Sequence, residues 1–235
     1  GMEFYTKKCC VMHFGYKNLQ SNYTMNGQPL ASVSNQRDLG VIISNDCKPS
    51  EQCALAAKKA NQVLGQINKS FSCYTKDIML GIYKVFVRPH LEYAVPAWCP
   101  WQRKDIETLE KVQHRATRRM SDVKGSYPER LRQLNLTTLE ERRQRGDAIE
   151  MYKCLRGFWG VDSESLFQPN NPIKPTTRQQ QSFMLLTVPR TRLELRKNSF
   201  CVRGAKTWNA LPSNVRDSAS VNAFKNAYDK HLRSL

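Results

Sequence analysis

The sequence is poor in several features that mark common classes of protein. Its four histidines have no partner cluster, and none of its eight cysteines forms a Cys-x-x-Cys pair, so neither a zinc site nor a histidine-based active site is indicated. No apolar run approaches the ~18 residues of a membrane span, and the start lacks the basic-then-apolar order of a signal peptide. We therefore expect no metal, no other cofactor and no membrane partner, in an intracellular protein of the nucleus or cytoplasm with reduced thiols.

Acidic residues are also scarce. The chain has 20 Asp and Glu against 37 Lys and Arg, which gives a net charge of +17. The imbalance is strongest from Pro172 to the C-terminus, where 12 Lys and Arg accompany three acids. A basic excess of this size indicates a polyanionic partner, and nucleic acid is the commonest one. The alternative is a chain that is basic for solubility alone.

Residues 1–48 have the pattern of short strands. An apolar run covers residues 9–15, Asn26-Gly27 is the strongest two-residue hairpin signal, and residues 39–43 are rich in β-branched side chains. Three short strands bury too little apolar surface to form a stable sheet by themselves. We therefore expect this sheet to be completed by protein on its N-terminal side.

From Pro49 onward the apolar spacing becomes helical. We expect Ser50 to cap a first helix, and Thr137 and Glu140 to form the capping box of a later helix that ends at Gly157. Residues 160–182 have the composition of a linker, and residues 183–200 favour one or two short strands before two last helices. The expected apolar stripes are Ile78, Ile82, Val85 and Phe86 in the second helix, and Ile106, Leu109, Val112, Ala116 and Met120 in the third. Of the aromatic residues, Phe86, Tyr93, Trp98, Trp101 and Trp208 are expected to pack in the core, as is His90, which follows Pro89 in an apolar stretch.

Residues 8–15, 37–43 and 83–98 resemble conserved blocks of the LINE-type (non-LTR) retrotransposon reverse transcriptases, most of all those of the jockey and chicken-repeat group. Residues 8–15, Lys-Cys-Cys-Val-Met-His-Phe-Gly, resemble the segment after the catalytic Asp-Asp hairpin, and residues 37–43, Arg-Asp-Leu-Gly-Val-Ile-Ile, resemble the primer-grip block. Residues 83–98, which contain Arg-Pro-His-Leu-Glu-Tyr, resemble the thumb signature. Residues 109–116, 139–143 and 208–212 fit the same pattern, so the resemblance runs through nearly the whole chain in order.

The resemblance implies an α+β fold, with a short β-sheet remnant of a polymerase palm followed by a mainly α-helical thumb and a C-terminal helical region. Residues 1–48 would end the palm, 49–158 would form the thumb, 159–182 a linker and 183–235 a basic C-terminal region. The fingers and most of the palm would lie upstream. The parent RNA-directed DNA polymerase would use Mg²⁺ held by palm aspartates, but this sequence has no Asp-Asp dipeptide. We therefore expect a fragment that binds RNA and DNA backbone without joining nucleotides.

Individual residues are assigned through the same resemblance. Lys8 matches the lysine beside the active site, a group that can donate a proton to departing pyrophosphate, although without the metal site that role is idle here. Leu39 and Gly40 match the primer-grip turn, where glycine suits close approach of the backbone.

Phosphate contacts are expected from basic residues on three helices, and ordinary solvation of a charged helix face is the alternative for each of them. Glu140 and Glu141 offer Arg142 and Arg143 local ion pairs instead. The candidates are Lys58 and Lys59 on the first helix, Lys111, Arg115, Arg118 and Arg119 on the third, and Arg142, Arg143 and Arg145 after the capping box.

A rival interpretation is a host or decayed interaction protein that reuses the helical part without binding nucleic acid. A large exposed apolar patch, and a basic face neutralised by the protein's own carboxylates, would favour this rival.

Overall fold

A computed structural model describes residues 4–160, 162–170 and 185–234. In these residues helices account for 55% and strands for 8%, so the fold is a mixed α+β one in which helices dominate. The expected linker and strands fall partly on residues 171–184, which lie outside the described residues.

The β part consists of three separate strand pairs. A 3₁₀ turn at Thr6–Lys8 precedes them. The strands are β1 (Cys10–Val11), β2 (Thr24–Met25), β3 (Gln28–Pro29), β4 (Ala31–Ser32), β5 (Asn35–Asp38) and β6 (Val41–Ser44). β1 pairs with β4 in parallel, whereas β2 with β3 and β5 with β6 form antiparallel hairpins.

Both hairpins close through two residues of positive φ. The expected hairpin at Asn26-Gly27 is confirmed, with φ of 51° and 72°. Leu39 and Gly40 close the second hairpin with φ of 45° and 86°. Two positive φ values in succession match the right-handed twist of paired strands, and Gly adopts the second at no steric cost.

The first half of the helical part contains α1 (Ser50–Ser70), α2 (Lys76–Ile82), α3 (Pro89–Glu92), α4 (Val95–Trp98) and α5 (Arg103–Arg118). α1 and α5 pack side by side in the same direction. Ser50 donates to Asp105 near their starts, and Arg115 donates to Asn61 further along. The hydroxyl of Ser50 is therefore used between helices, and Pro49, not Ser50, occupies the cap position.

A π-helical segment at Tyr83–Val87 joins α2 to α3 and changes which side chains are buried. The amide of Arg88 donates to the carbonyl of Tyr83, five residues back. The stripe expected at Ile78, Ile82, Val85 and Phe86 is wrong except at Ile82, which is partly buried against the core. Ile78, Val85 and Phe86 are exposed, and the buried residues are Met79, Tyr83, Val87 and Leu91.

α5 follows the expected pattern, with Leu109, Val112 and Ala116 buried. Two further helices, α6 (Tyr127–Gln133) and α7 (Leu139–Leu155), each begin at a capping box. The box of α7 joins Thr138 to Glu141, one residue after the expected pair. α7 ends just before Gly157, which has a φ of +71° as expected of a helix end.

The C-terminal part contains α8 (Ser163–Leu166), α9 (Glu194–Lys197), α10 (Phe200–Ala210), α11 (Ser213–Arg216) and α12 (Val221–Leu232). The two last long helices therefore lie where the spacing predicts them. Pro169 and Leu186 form an isolated antiparallel bridge, and Phe167 is buried, so part of the expected linker packs onto the fold.

Two buried clusters form the core of the described residues. The first runs from Val41 to Leu139 and is built on α1, α5 and the π-helical segment. The second runs from Ala148 to Tyr228 and contains Trp208, which is buried as expected. α7 contributes Leu139 to the first cluster and its C-terminal half to the second, so one helix joins both.

Candidate nucleic-acid interface

The exposed face of α5 carries a stripe of positive charge. Leu109, Val112 and Ala116 face the core, which directs the opposite side of the helix to solvent. Residues 104, 111, 115 and 118 repeat at spacings of seven, four and three, and therefore lie on one side of the helix. We call the exposed cations Lys104, Lys111, Arg115, Arg118 and Arg119 the α5 stripe. It spans about 22 Å at 1.5 Å per residue.

α1 extends this surface. Arg115 donates to the side-chain oxygen of Asn61, which fixes the side of α1 that borders the stripe. Lys58 is exposed one helical turn before Asn61, and Lys69 is exposed in the last turn. Lys58 therefore lies on the side of α1 that borders the α5 stripe.

The protein's own acids leave the α5 stripe unneutralised. Glu107 pairs with Arg103, and Glu110 is occupied by the hydroxyl of Tyr127 and the amide of Leu139. In the part of the chain that the structure describes, no member of the stripe forms an ion pair. The stripe therefore keeps its full charge for an external anion.

Internal interactions at the end of α5 are weaker. The guanidinium of Arg119 lies 5.4 Å from the centre of the Tyr74 ring, and Arg115 and Arg118 lie in the last turn, where the helix dipole favours cations. His114 directly precedes Arg115, and burial, followed by the charges of Arg130 and Arg118, lowers its pKa. The lowered pKa favours the neutral form of this imidazole.

The second expected group, on α7, is mostly used inside the protein. Arg142 binds Glu92 through two nitrogens, and Arg145 binds Asp229 in the same way. These bonds raise the pKa of both guanidinium groups and lower the pKa of Asp229. Arg143 is only 3% exposed, so the expectation that it forms part of a basic surface is wrong. α7 packs against helices on two sides, which leaves little of it free for solvent.

The Leu39-Gly40 turn is held by a residue of the segment that resembles a thumb signature. The hydroxyl of Tyr93 donates to the carbonyl of Leu39 at 2.9 Å. A methyl group added to Gly40 would lie 3.3 Å from the Tyr93 ring. Lys59 joins them, because it lines a cleft of about 290 Å³ with Arg37, Gly40 and Tyr93. Lys59 therefore belongs with the turn and not with Lys58.

Lys8 lies elsewhere. It is exposed at the end of the 3₁₀ turn, 6.0 Å from the centre of the Tyr5 ring. In the described residues, no contact connects Lys8 to the α5 stripe or to the turn.

Two exposed aromatic residues and one histidine differ from expectation. Trp98 is buried as expected, but Phe86 and Tyr93 are each 58% exposed. His90, expected in the core, is exposed in the first turn of α3.

Sequence reasoning also missed Lys104, which the spacing of seven from Lys111 could have placed on the stripe. Sequence reasoning also missed that Arg203 connects distant parts of the chain. Its partners Asp147 and Pro96 are 56 and 107 residues away, and nothing near Arg203 in the sequence predicts them.

In residues 4–160, 162–170 and 185–234, no group of three or more His, Cys, Asp or Glu side chains is arranged to hold a metal ion. None of the helices in these ranges is both long and apolar enough to cross a membrane.

Comparison with known proteins gives no relative: no family model, no curated protein and no solved structure matches this chain.

Proposed function

We propose that this chain is a non-catalytic C-terminal part of a non-LTR retrotransposon reverse transcriptase that grips the backbone of template RNA and primer DNA. The observation that carries the nucleic-acid part is the α5 stripe: four exposed cations on one face of α5 and Arg119 just after its end, without a carboxylate partner in the described residues. Desolvating so many like charges for a protein partner would require many acids on that partner, whereas a nucleic-acid backbone supplies one charge at every phosphate.

The stripe suits backbone binding and not base reading. Its members are Lys and Arg on the outside of a helix that is held against α1. Contacts of this kind neutralise phosphates and position a duplex, but they carry no sequence information. The proposed binding is therefore independent of sequence and strongly dependent on salt.

The reverse transcriptase part rests on the resemblance of sequence blocks. Two of those blocks touch, since Tyr93 of the segment similar to a thumb signature holds the turn similar to a primer grip. The non-catalytic part rests on the missing Asp-Asp dipeptide, without which the chain lacks the metal ligands of that reaction. Purified chain supplied with primer, template, nucleotides and Mg²⁺ or Mn²⁺ should incorporate no nucleotide, and measurable incorporation would contradict a non-catalytic role.

The test of binding is fluorescence anisotropy with a labelled 20-base-pair RNA–DNA hybrid at several salt concentrations. If about five phosphates are neutralised, log affinity should fall with log salt with a slope of about −4. Arg115→Glu should weaken binding by about tenfold or more and make the slope shallower by about 1 to 2. Lys230→Glu makes the same charge change on the exposed end of α12 and is the matched control.

A second candidate function is docking of a protein partner, favoured by the exposed apolar face at Ile78, Val85 and Phe86. If Arg115→Glu and Lys230→Glu weaken binding equally, the stripe is not the interface and the proposal of backbone binding fails. The apolar face then becomes the better candidate, and Phe86→Ser is the next variant.

A further inference from the structure

A cleft beside α7 combines an aromatic ring, apolar walls and cations. It has a volume of about 580 Å³ and lies between α4, α7 and the start of α12. Val95, Pro96 and Ile149 contribute apolar surface, and Lys225 and Trp159 stand on its wall. This volume lies within the range of small-ligand sites in proteins.

Trp159 is placed to offer a stacking surface. It follows the end of α7, and the ammonium of Lys153 lies 5.0 Å from the ring centre. Although this contact restrains the ring, 57% of the residue remains exposed. An exposed indole held in place by a cation is the kind of platform on which nucleic-acid bases stack.

The charge of the cleft favours an anion. Glu92 is neutralised by Arg142, and Glu150 pairs with Lys153, so the acids in the wall are occupied. Lys225 is half-buried and, within the described ranges, has no ion pair.

Arg143 adds a buried charge to the same wall. It is 3% exposed, and its Nη1 and Nη2 atoms find no hydrogen-bond partner in the described part of the chain. A buried guanidinium left in this state is costly, and a nearby anion would reduce that cost even without direct contact.

From this combination we propose that the cleft binds a single nucleotide unit, with the base stacked on Trp159 and the phosphate at Lys225. An acidic peptide would satisfy the cations but would make no use of the exposed indole. The unit has two sources, a free nucleotide or an unpaired nucleotide at the end of a strand. In the second case the inference extends the proposed function, because the α5 stripe would hold the duplex and the cleft its unpaired end.

The test compares three probes: adenosine 5′-monophosphate, a blunt RNA–DNA hybrid, and the same hybrid with three unpaired nucleotides. Trp159→Ala should weaken binding of the monophosphate, or remove the gain from the overhang, by about 5- to 100-fold. It should leave the blunt hybrid unchanged. Loss with the monophosphate identifies a free nucleotide as ligand, and loss with the overhang alone identifies a strand end.

Controls separate this inference from the proposed function. Lys225→Ala should act like Trp159→Ala, whereas Lys230→Ala, on the opposite side of α12, should have no effect. Arg115→Glu should weaken the blunt hybrid and leave the monophosphate unchanged, so failure at the stripe and failure at the cleft give different results. The inference is overturned if neither probe with an unpaired nucleotide responds to Trp159→Ala, or if an acidic peptide competes for the cleft and adenosine monophosphate does not.

Discussion

At the scale of single residues, whether an arginine is exposed, paired or buried depends on partners that are remote in sequence. Arg115 and Arg118 remain exposed, Arg142 and Arg145 are neutralised, and Arg143 is buried. The same type of side chain thus supplies surface charge at Arg115 and Arg118, ion pairs between helices at Arg142 and Arg145, and a buried group at Arg143. The excess of +17 is therefore not spread evenly over the protein, and its available part is concentrated on a few helix faces.

Arg203 is the clearest cross-link. It binds both carboxylate oxygens of Asp147, at 2.7 and 3.1 Å, and donates to the carbonyl of Pro96 at 2.7 Å. Asp147 is 4% exposed, so Arg203→Met would leave a buried unpaired carboxylate. We expect a loss of about 3–5 kcal/mol in the free energy of unfolding, measured by urea denaturation.

Two further variants show whether that loss arises from the unpaired charge. Arg203→Met with Asp147→Leu should be more stable than Arg203→Met alone, because no charge is then buried without a partner. Arg192→Met, at an exposed position, should have little effect. A double variant no better than the single one would mean that packing, and not charge, makes Arg203 important.

Cys53 gives a prediction of pH dependence. Burial, with the Asp105 carboxylate next in effect, raises the pKa of the Cys53 thiol to about 12. Above about pH 8.5 the unfolded thiol ionises while the folded thiol keeps its proton, so folding loses stability as pH rises. Between pH 8.5 and 10 the wild type should lose up to about 2 kcal/mol more than Cys53→Ala. Cys73→Ala, at an exposed site, should keep the slope of the wild type.

At the scale of helices and strands, the close packing of α10 against α7 explains why residue 204 is a glycine. A methyl group on Gly204 of α10 would lie 2.6 Å from the sulfur of Met151 on α7, and Met151 is itself buried. Gly204→Ala should therefore destabilise the protein by about 1–3 kcal/mol through overpacking.

Gly65 of α1 is the matched control, since nothing lies within 4 Å of its added methyl group. Gly65→Ala should stabilise the helix by about 0.4–1 kcal/mol. Thermal unfolding of both variants measures the contrast, and a stabilised Gly204→Ala protein would show that Met151 moves aside without cost.

Sequence patterns predict those elements whose periodicity is regular. The apolar spacing of α5, the Asn26-Gly27 hairpin and the glycine at the end of α7 have local causes and are found as expected. The face of α2 is not, since Ile78 is exposed and Met79 is buried already before the π-helical segment begins. Thr137 and Thr138 offer two equally good caps in sequence, and only packing selects the second. Arg143 is buried because other helices pack against α7 on two sides. No pattern within the sequence of α7 predicts this packing.

At the scale of the whole molecule, α7 joins the two buried clusters into one structure. Its first turn packs with the first cluster and its last turns with the second. Arg203 adds a second link, because it reaches from α10 to the carbonyl of Pro96 in α4. The β part is attached more weakly: β5 is fully exposed, and of β6 only Val41 and Ser44 are buried. The molecule therefore contains a cooperative helical body and a loosely held N-terminal portion.

This division predicts how far the destabilising effect of a single substitution extends through the protein. Trp208 is fully buried in the second cluster, and Trp208→Ala should cost about 3–5 kcal/mol. Because the clusters share α7, amide exchange in the middle of α1, which belongs to the first cluster, should accelerate along with exchange in α10. Amides of β1 to β5 exchange through local opening, so their rates should stay the same. Unchanged protection in α1 would instead mean that the two clusters unfold independently and that α7 frays between them.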